Sequence, residues 1–443
     1  MVTALGSPLG VVIPERLHEN VRAFRAAYGS LTGRIYYAHK ANRSSALLRE
    51  VAALDAGVDV ASLAELQHAL GAGFGPDRIV ATGPKNRDFL WLAARTGVTV
   101  SADSIPELTD LAALVTARGL PRAPVTVRLS GFPSPISSRR SRFGVPFGDF
   151  SQALDLIAEE PLDLTGVAFH LDTVGIAEKA IALEGCLAAL DMCRERGLRP
   201  RSVDIGGGFG VNYLADATQW DGWTTALGAA VRGRRAPITW DGHGYGLRAE
   251  NGVLRGTPAL YPAHRPVSGA AYLGRLLETE APQQRRPLGD LLLDNLYDLH
   301  IEPGRALLDQ CGLVLATVLE VRDEVIRLDA NARDVSLEEH GVLMDPVVIG
   351  GDPRPCDAYL FGNLCLEADL ITRRKVTLPR TPRPGDLLAF VNTAGYLMDF
   401  SATEALGQPI ARKAAVYLDD GWRWCLDEQY WPTKAEASCD STP

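Results

Sequence analysis

The sequence predicts an α/β fold, a (β/α)8 barrel of the TIM type followed by a second, C-terminal antiparallel β domain. Three observations carry this reading. From residue 31 to 210, short β-like apolar runs alternate with helical segments, which implies a parallel sheet with helices outside it. A further strand, Leu299–Glu302 ahead of a glycine turn, supplies the eighth member that a closed barrel needs and an open doubly wound sheet does not. Beyond Arg305 the texture changes to β-rich segments separated by Pro and Gly, which marks a separate domain.

Taken in order, the predicted barrel strands are Arg34–Ala38, Gly57–Ala61, Ile79–Ala81, Val98–Ala102, Val125–Leu129, Gly166–His170, Ser202–Ile205 and Leu299–Glu302. Amphipathic stretches between them, such as Ser44–Ala53, Leu63–Leu70, Ile105–Ala117, Phe150–Glu160 and Ile176–Arg196, repeat their apolar positions at helical spacing. The expected organisation is an N-terminal segment, 1–30, whose first strand joins the β domain, a barrel over 31–305, and a β domain over 306–443. Residues 213–298 interrupt the alternation and read as an insertion. Its tryptophans and tyrosines make it too aromatic for a flexible linker, and Pro237–Leu247 looks like a strand and turn. In the last domain the predicted strands are Gly312–Arg322, Glu324–Leu328, Val347–Ile349, Ala358–Phe361, Leu387–Val391 and Ala414–Leu418.

Composition excludes several classes. No apolar run approaches the ~20 residues of a membrane span. The N-terminus lacks the basic start and apolar core of a secretory signal, so the cytoplasm is the expected compartment. A net charge of -9 argues against nucleic acid as a partner, because phosphate recognition needs a basic face. The seven cysteines are odd in number and form no CxxC pair, so neither a disulfide framework nor a metal site is expected.

Four features fall at predicted C-terminal strand ends. Lys40 ends the run Ile35-Tyr36-Tyr37-Ala38-His39. It fits either a lysine that snorkels to the surface or a desolvated amine, with lowered pKa, that attacks an aldehyde. His170 closes the sixth strand, and a lone histidine there is as a rule structural. Gly206-Gly207-Gly208 follows the seventh strand. Consecutive glycines let backbone N–H groups approach an anion, although they also make plain turns. Glu302 and Arg305 in Ile301-Glu302-Pro303-Gly304-Arg305 follow the eighth, a spacing that on a surface is an ordinary ion pair. A barrel brings all these ends into one cavity, and that convergence favours function over accident.

These residues belong to a longer ordered series: Tyr37-Ala38-His39-Lys40-Ala41-Asn42, Asp59-Val60-Ala61-Ser62 with Glu65, Gly83-Pro84-Lys85, Asp103-Ser104 with Glu107-Leu108, Ser141-Arg142-Phe143-Gly144, Phe169-His170, Gly206-Gly207-Gly208-Phe209, Glu302-Pro303-Gly304-Arg305, Cys365 with Asp369, and Gly395-Tyr396. In this series the chain resembles the ornithine, diaminopimelate and arginine decarboxylases of pyridoxal-phosphate (PLP) fold type III, which share an alanine-racemase-like barrel. The resemblance implies a decarboxylase of an amino-acid substrate with PLP as cofactor. Lys40 would hold the cofactor as a Schiff base, His170 would stack on its ring, and Glu302 would bond the pyridine nitrogen. Gly206, Gly207, Gly208, Arg305, Thr173 and Tyr396 would surround the phosphate. Cys365 would arrive from the partner subunit of a homodimer as proton donor, with Arg142 and Asp369 pairing across the interface.

Departures from the family pattern bear on the substrate. The family's Gly-Ser after the histidine is replaced by Leu171-Asp172-Thr173, and the acid after the cysteine, which recognises the substrate's distal end, by Leu366, then Glu367. Asp329 resembles another acidic position of the substrate pocket. With the insertion, these differences imply a specialised decarboxylase, of the kind found in siderophore or natural-product pathways, acting on a diamino acid or a modified or conjugated amino acid. The alternative on the same fold is a racemase or epimerase. Such enzymes resemble this chain less, because they place an arginine near the pyridine nitrogen and use a tyrosine as second base.

Overall fold

In a computed structural model the described residues are 1–132, 141–171, 175–398, 400–418 and 421–427. Eight parallel strands form the barrel: Tyr36–Ala38, Gly57–Val60, Ile79–Ala81, Thr99–Ala102, Ala123–Ser130, Leu162–Ala168, Ser202–Asp204 and Asp298–His300. They pair in chain order. The ring closes where Ile35 bridges Ile301 and where Tyr36 donates its N–H to the Ile301 carbonyl at 2.8 Å. The sixth strand begins four residues earlier than the sequence suggests and stops at Ala168, so His170 stands just beyond its end, over the mouth. Gly166 within it is required by the neighbour, since a Cβ there would lie 2.0 Å from Ser202 Oγ.

Local chemistry fixes the helices. Ser44, Ser62, Asn86 and Ser104 each accept a hydrogen bond from the N–H three residues on, and Glu65 returns a bond to the Ala61 N–H at 2.6 Å. Gly97 and Gly119 end their helices in the left-handed conformation. The helix Glu15–Tyr28, which the sequence reading placed in no element, docks on the barrel's helical layer beside Gly269–Glu278.

The interval 213–298 is not one insertion. Its last part, the helices Gly269–Glu278 and Leu288–Asp294, packs on Glu15–Tyr28 and Ile176–Glu195 as barrel helices, and buries Tyr272, Leu273, Leu276 and Leu277. Pro237–Leu247 is not a strand and turn. It contains one bridge, Thr239 to Arg374, and a short helical turn, and the hairpin follows at Arg248–Glu250 and Val253–Arg255. The glycines at 242, 244 and 246 favour turns there over an extended run.

The second domain is a sheet in the order 370–378, 356–361, 325–328, 312–322, 9–12, 412–418 and 422–426, with 387–391 and 347–349 alongside. Leu9–Val12 pairs antiparallel with Gly312–Leu315, so the N-terminus is part of this sheet. Two contacts are parallel, Leu9–Val12 with Arg412–Ala415 and Val325–Arg327 with Tyr359–Phe361, and the rest are antiparallel. The strand Leu370–Leu378 escaped the sequence reading because Arg373-Arg374-Lys375 masks its alternation. Arg374 is nonetheless buried, with its guanidinium on Asp345. Among the described residues no helix is long and apolar enough to cross a membrane.

Candidate active site

At the C-terminal mouth of the barrel, Lys40 lies in the turn His39–Ala41 that closes the first strand, two residues beyond its end, and donates to Asp59 Oδ2 at 2.8 Å. Thr82 donates to the other oxygen of that carboxylate. The Lys40 side chain is 33% accessible although protein surrounds it, because it faces a cavity and not bulk water. The desolvated amine of lowered pKa, one of the two expectations for Lys40, is not what the site builds: burial is the largest single influence and pulls the pKa down, but Asp59, Tyr396 and Glu302 together lift it above its ordinary value. Asp59 is itself raised by burial, which Lys40 and Thr82 oppose.

His170 and Glu302 complete the centre. Gly207 donates its N–H to His170 Nδ1 at 3.2 Å, which leaves the proton of a neutral ring on Nε2, and Glu302 Oε2 lies 3.7 Å from the same Nδ1. Burial raises Glu302, and Lys40 and Arg128 oppose that. Asp204, wholly buried as well, is raised well above its ordinary value by burial and, after it, by the Glu302 charge. The glycine turn is dictated by close approach. A Cβ on Gly206 would lie 2.5 Å from His170 Nδ1, and one on Gly207 2.7 Å from the Glu302 carbonyl. Gly206 and Gly208 also hold positive φ, 64° and 85°. Lys179, buried inside the barrel's helical layer, donates to the Gly207 carbonyl and sits 4.6 Å from the Phe209 ring centroid, which pins the turn from behind.

Arg305 donates to Tyr213 Oη at 2.8 Å and to the Gly395 carbonyl at 3.1 Å. Its guanidinium lies 4.7 Å from the Tyr261 ring centroid and 5.0 Å from that of Tyr396. Tyr396 holds φ at 72°, a conformation that a side chain rarely adopts, and its N–H bonds Ala41 just past the lysine. A Cβ on Gly304 would meet the Tyr396 hydroxyl at 2.7 Å, so this turn too must be glycine.

Two cavities meet at Lys40, His170 and Glu302. One, of about 310 Å³, runs past Gly207–Gly210 to Arg305, His340 and Tyr396, and the other, of about 280 Å³, runs past Thr82 and Arg128 to Phe143. The donor set fits PLP point by point: an amine for the aldehyde, a ring to stack on the pyridine, a carboxylate for its nitrogen, and glycine N–H groups with an arginine for the phosphate. The pattern of fold and site defines a PLP-dependent barrel enzyme.

Comparison with known proteins narrows this. Residues 15–239 match the family model described as pyridoxal-dependent decarboxylase, pyridoxal binding domain. The y4yA protein of Sinorhizobium fredii is 32% identical over 437 residues, with 94% of this chain and 88% of that protein covered. Diaminopimelate decarboxylase of Methanothermobacter thermautotrophicus is 28% identical over 415 residues, covering 90% of this chain and 84% of that one. The crystal structure of diaminopimelate decarboxylase from M. jannaschii superposes with a TM-score of 0.76 at 18% identity, over 96% of this chain and 90% of that one, a likeness of fold. The chain belongs to the pyridoxal-dependent decarboxylase family and is a PLP-dependent amino-acid decarboxylase.

Of the residues singled out in the sequence, the structure brings Lys40, His170, Gly207, Gly208, Glu302, Arg305 and Tyr396 to one cavity, with Gly206 packed against His170. Thr173 lies outside the described residues. Cys365, Leu366 and Glu367 are exposed on a loop of the β domain and line neither cavity. Asp369 is buried, and its two oxygens accept the Ala332 and Leu364 N–H groups at 2.8 Å each, so it fixes the loop that carries Cys365. Asp329 accepts from Asn363 on the same loop at 3.3 Å. Arg142 stacks on Phe143, 4.6 Å from its centroid. The sequence reading gave no role to Asp59, Arg128, Tyr213, Tyr261 or His340. Asp59 stood within a recognised motif and was legible, whereas the others are placed by long-range packing.

Proposed function

We propose that this decarboxylase works as a two-fold homodimer in specialised metabolism, and removes the α-carboxylate from a diamino acid or from a larger, modified amino acid. The observation that carries the reading is the Lys40 amine, 2.8 Å from Asp59, in one cavity with His170, Glu302, the glycine turn and Arg305. Bound PLP supplies the electron sink for the pair released as CO₂ departs. The chain's own residues then divide the work. Lys40 would hold the aldehyde carbon, oriented by its bond to Asp59. His170 would cover the ring, Glu302 would stabilise a proton at the pyridine nitrogen, and Gly206–Gly208 with Arg305 and Tyr396 would hold the phosphate.

Cys365 is exposed within the loop that Asp369 braces, and supports the dimer as the source of a proton donor for the second subunit's cavity; Asp369, buried with both oxygens bonded inside its own chain, does not suit the pairing with Arg142 across the interface that the resemblance implied. Leu366, 54% exposed, stands where relatives of this resemblance carry an acid, which favours a substrate whose far end is not a simple ammonium group. The test is a screen of L- and D-diamino acids and conjugated amino acids by mass spectrometry. Loss of CO₂ with at least one of them is expected. Unchanged mass with inverted optical activity would make the protein a racemase. The purified holoprotein should absorb in the near-visible and lose that band in Lys40→Ala; an unaltered band would remove Lys40 from the centre.

A further inference from the structure

His340 belongs to the segment after Ser336 and reaches the same cavity wall as Arg305 and the glycine turn. Its ring packs against Tyr396 and Phe400, with centroids 6.1 Å and 5.7 Å away. Its Nε2 is buried and has no hydrogen-bond partner among the described residues. A buried imidazole nitrogen without a partner costs free energy, so an atom of this kind on a cavity wall calls for a partner inside the cavity.

The surroundings select the charge of that partner. Glu302 is the one carboxylate among the described residues lining this cavity, and it stands at the Lys40 end, whereas Arg305 lies toward His340. Burial, and after it the Arg305 guanidinium, hold the His340 pKa below its ordinary value, so the ring stays neutral beside the cation and keeps one N–H to give. A neutral donor next to a guanidinium, across from backbone N–H groups, suits an anion with several acceptor oxygens.

We propose that His340 is a further ligand of the cofactor's phosphate, donating from Nε2, and that residues 213–261 serve to hold it there. Tyr261 donates its backbone N–H to Gly341 at 2.9 Å while its ring lies under Arg305, and Tyr245 donates its hydroxyl to Glu338 at 2.9 Å. Gly341 admits no side chain, since a Cβ would fall 2.9 Å from the Ala259 carbonyl, so the two segments are packed without slack. One aromatic brace thus sets both the arginine and the histidine. His340 is a cofactor-binding residue on this account, and its role rests on the reading of the glycine turn and Arg305 as the phosphate end.

The test compares PLP with pyridoxal, which lacks the phosphate, as ligands of cofactor-stripped protein. His340→Leu should weaken PLP about tenfold, the loss of one hydrogen bond to a charged group, and leave pyridoxal unchanged. His340→Gln, which retains an N–H donor, should recover most of the difference. Equal weakening of both ligands, or of neither, would overturn the proposal. Arg305→Met separates the two levels. If it abolishes the preference for PLP over pyridoxal while His340→Leu does not, the phosphate end stands and His340 is excluded; if it leaves the preference intact, the phosphate end itself is misplaced. Should His340→Leu not fold, the ³¹P resonance of bound cofactor decides: His340→Gln is expected to move it, and an identical resonance would count against the contact.

Discussion

Two groups of predicted site residues had opposite fates. Those at the barrel mouth are mutually bonded and line cavities that a single chain builds: Lys40 on Asp59, His170 between Gly207 and Glu302, Arg305 among three tyrosines. Those on the β-domain loop, Cys365, Leu366 and Glu367, are exposed and line neither of the two cavities, although Asp369 and Asn363 anchor the loop firmly. In our proposal this loop serves a second subunit. The difference teaches that the described cofactor side of the site is gathered from one chain, whereas the residue that we assign to proton donation lies apart from it.

The largest expected effect breaks or confirms that division. Lys40→Ala and Cys365→Ala should each be almost inactive as pure proteins. Mixed in equal amounts, unfolded and refolded together, they should regain about a quarter of the wild-type activity, because half the dimers are then mixed and each mixed dimer has one site with both residues intact. No recovery would place Cys365 in the same subunit's chemistry or outside it altogether, and a monomer in solution would leave the loop without its proposed role.

A smaller effect sharpens the barrel side. Burial raises Glu302 while Lys40 and Arg128 oppose it, and a protonated pyridine nitrogen beside it would favour its charged form further. Glu302→Gln should keep PLP bound and lower turnover roughly a hundredfold or more, the usual scale for removing one preorganised electrostatic group. Turnover within a few-fold of wild type, with the cofactor retained, would mean that ring protonation does not depend on this carboxylate.

The same contrast explains what the sequence disclosed. Lys40, His170, the glycines, Glu302 and Arg305 were legible because each follows the end of a barrel strand by no more than five residues, where alternation of strand and helix locates the mouth before any coordinate is known. Tyr213, Tyr261 and His340 were not, because they come from aperiodic segments that meet only through folding, across as many as 92 residues of chain from Tyr213 to Arg305. The helix Gly269–Glu278 was hidden for a related reason. Its apolar face is short, and the glycine- and aromatic-rich stretch before it obscured where the barrel pattern resumed. Burial of Asp369 was illegible as well, since its partners are backbone N–H groups that leave no mark in composition.

The smallest effect probes how the barrel half stays preformed. At the opposite mouth, His300 on the last strand accepts the Arg34 N–H at its Nδ1, 2.9 Å away, and so helps close the last strand onto the first. Burial depresses its pKa to about 4. The folded chain therefore favours the neutral ring, while the unfolded chain binds a proton at about 6.5. The stability that this bond contributes is complete above that value and is lost as pH falls toward 4, because the unfolded chain takes up a proton that the folded ring, its lone pair held by the Arg34 N–H, does not. The ring is only half-buried, so about 1–2 kcal/mol is expected between these limits. In urea titrations the wild-type midpoint should fall more steeply from pH 6.5 to 4 than that of His300→Asn, whose amide oxygen can accept the same bond without titrating. Parallel curves would show that closure of the ring, and with it the preformed mouth, owes nothing to this histidine.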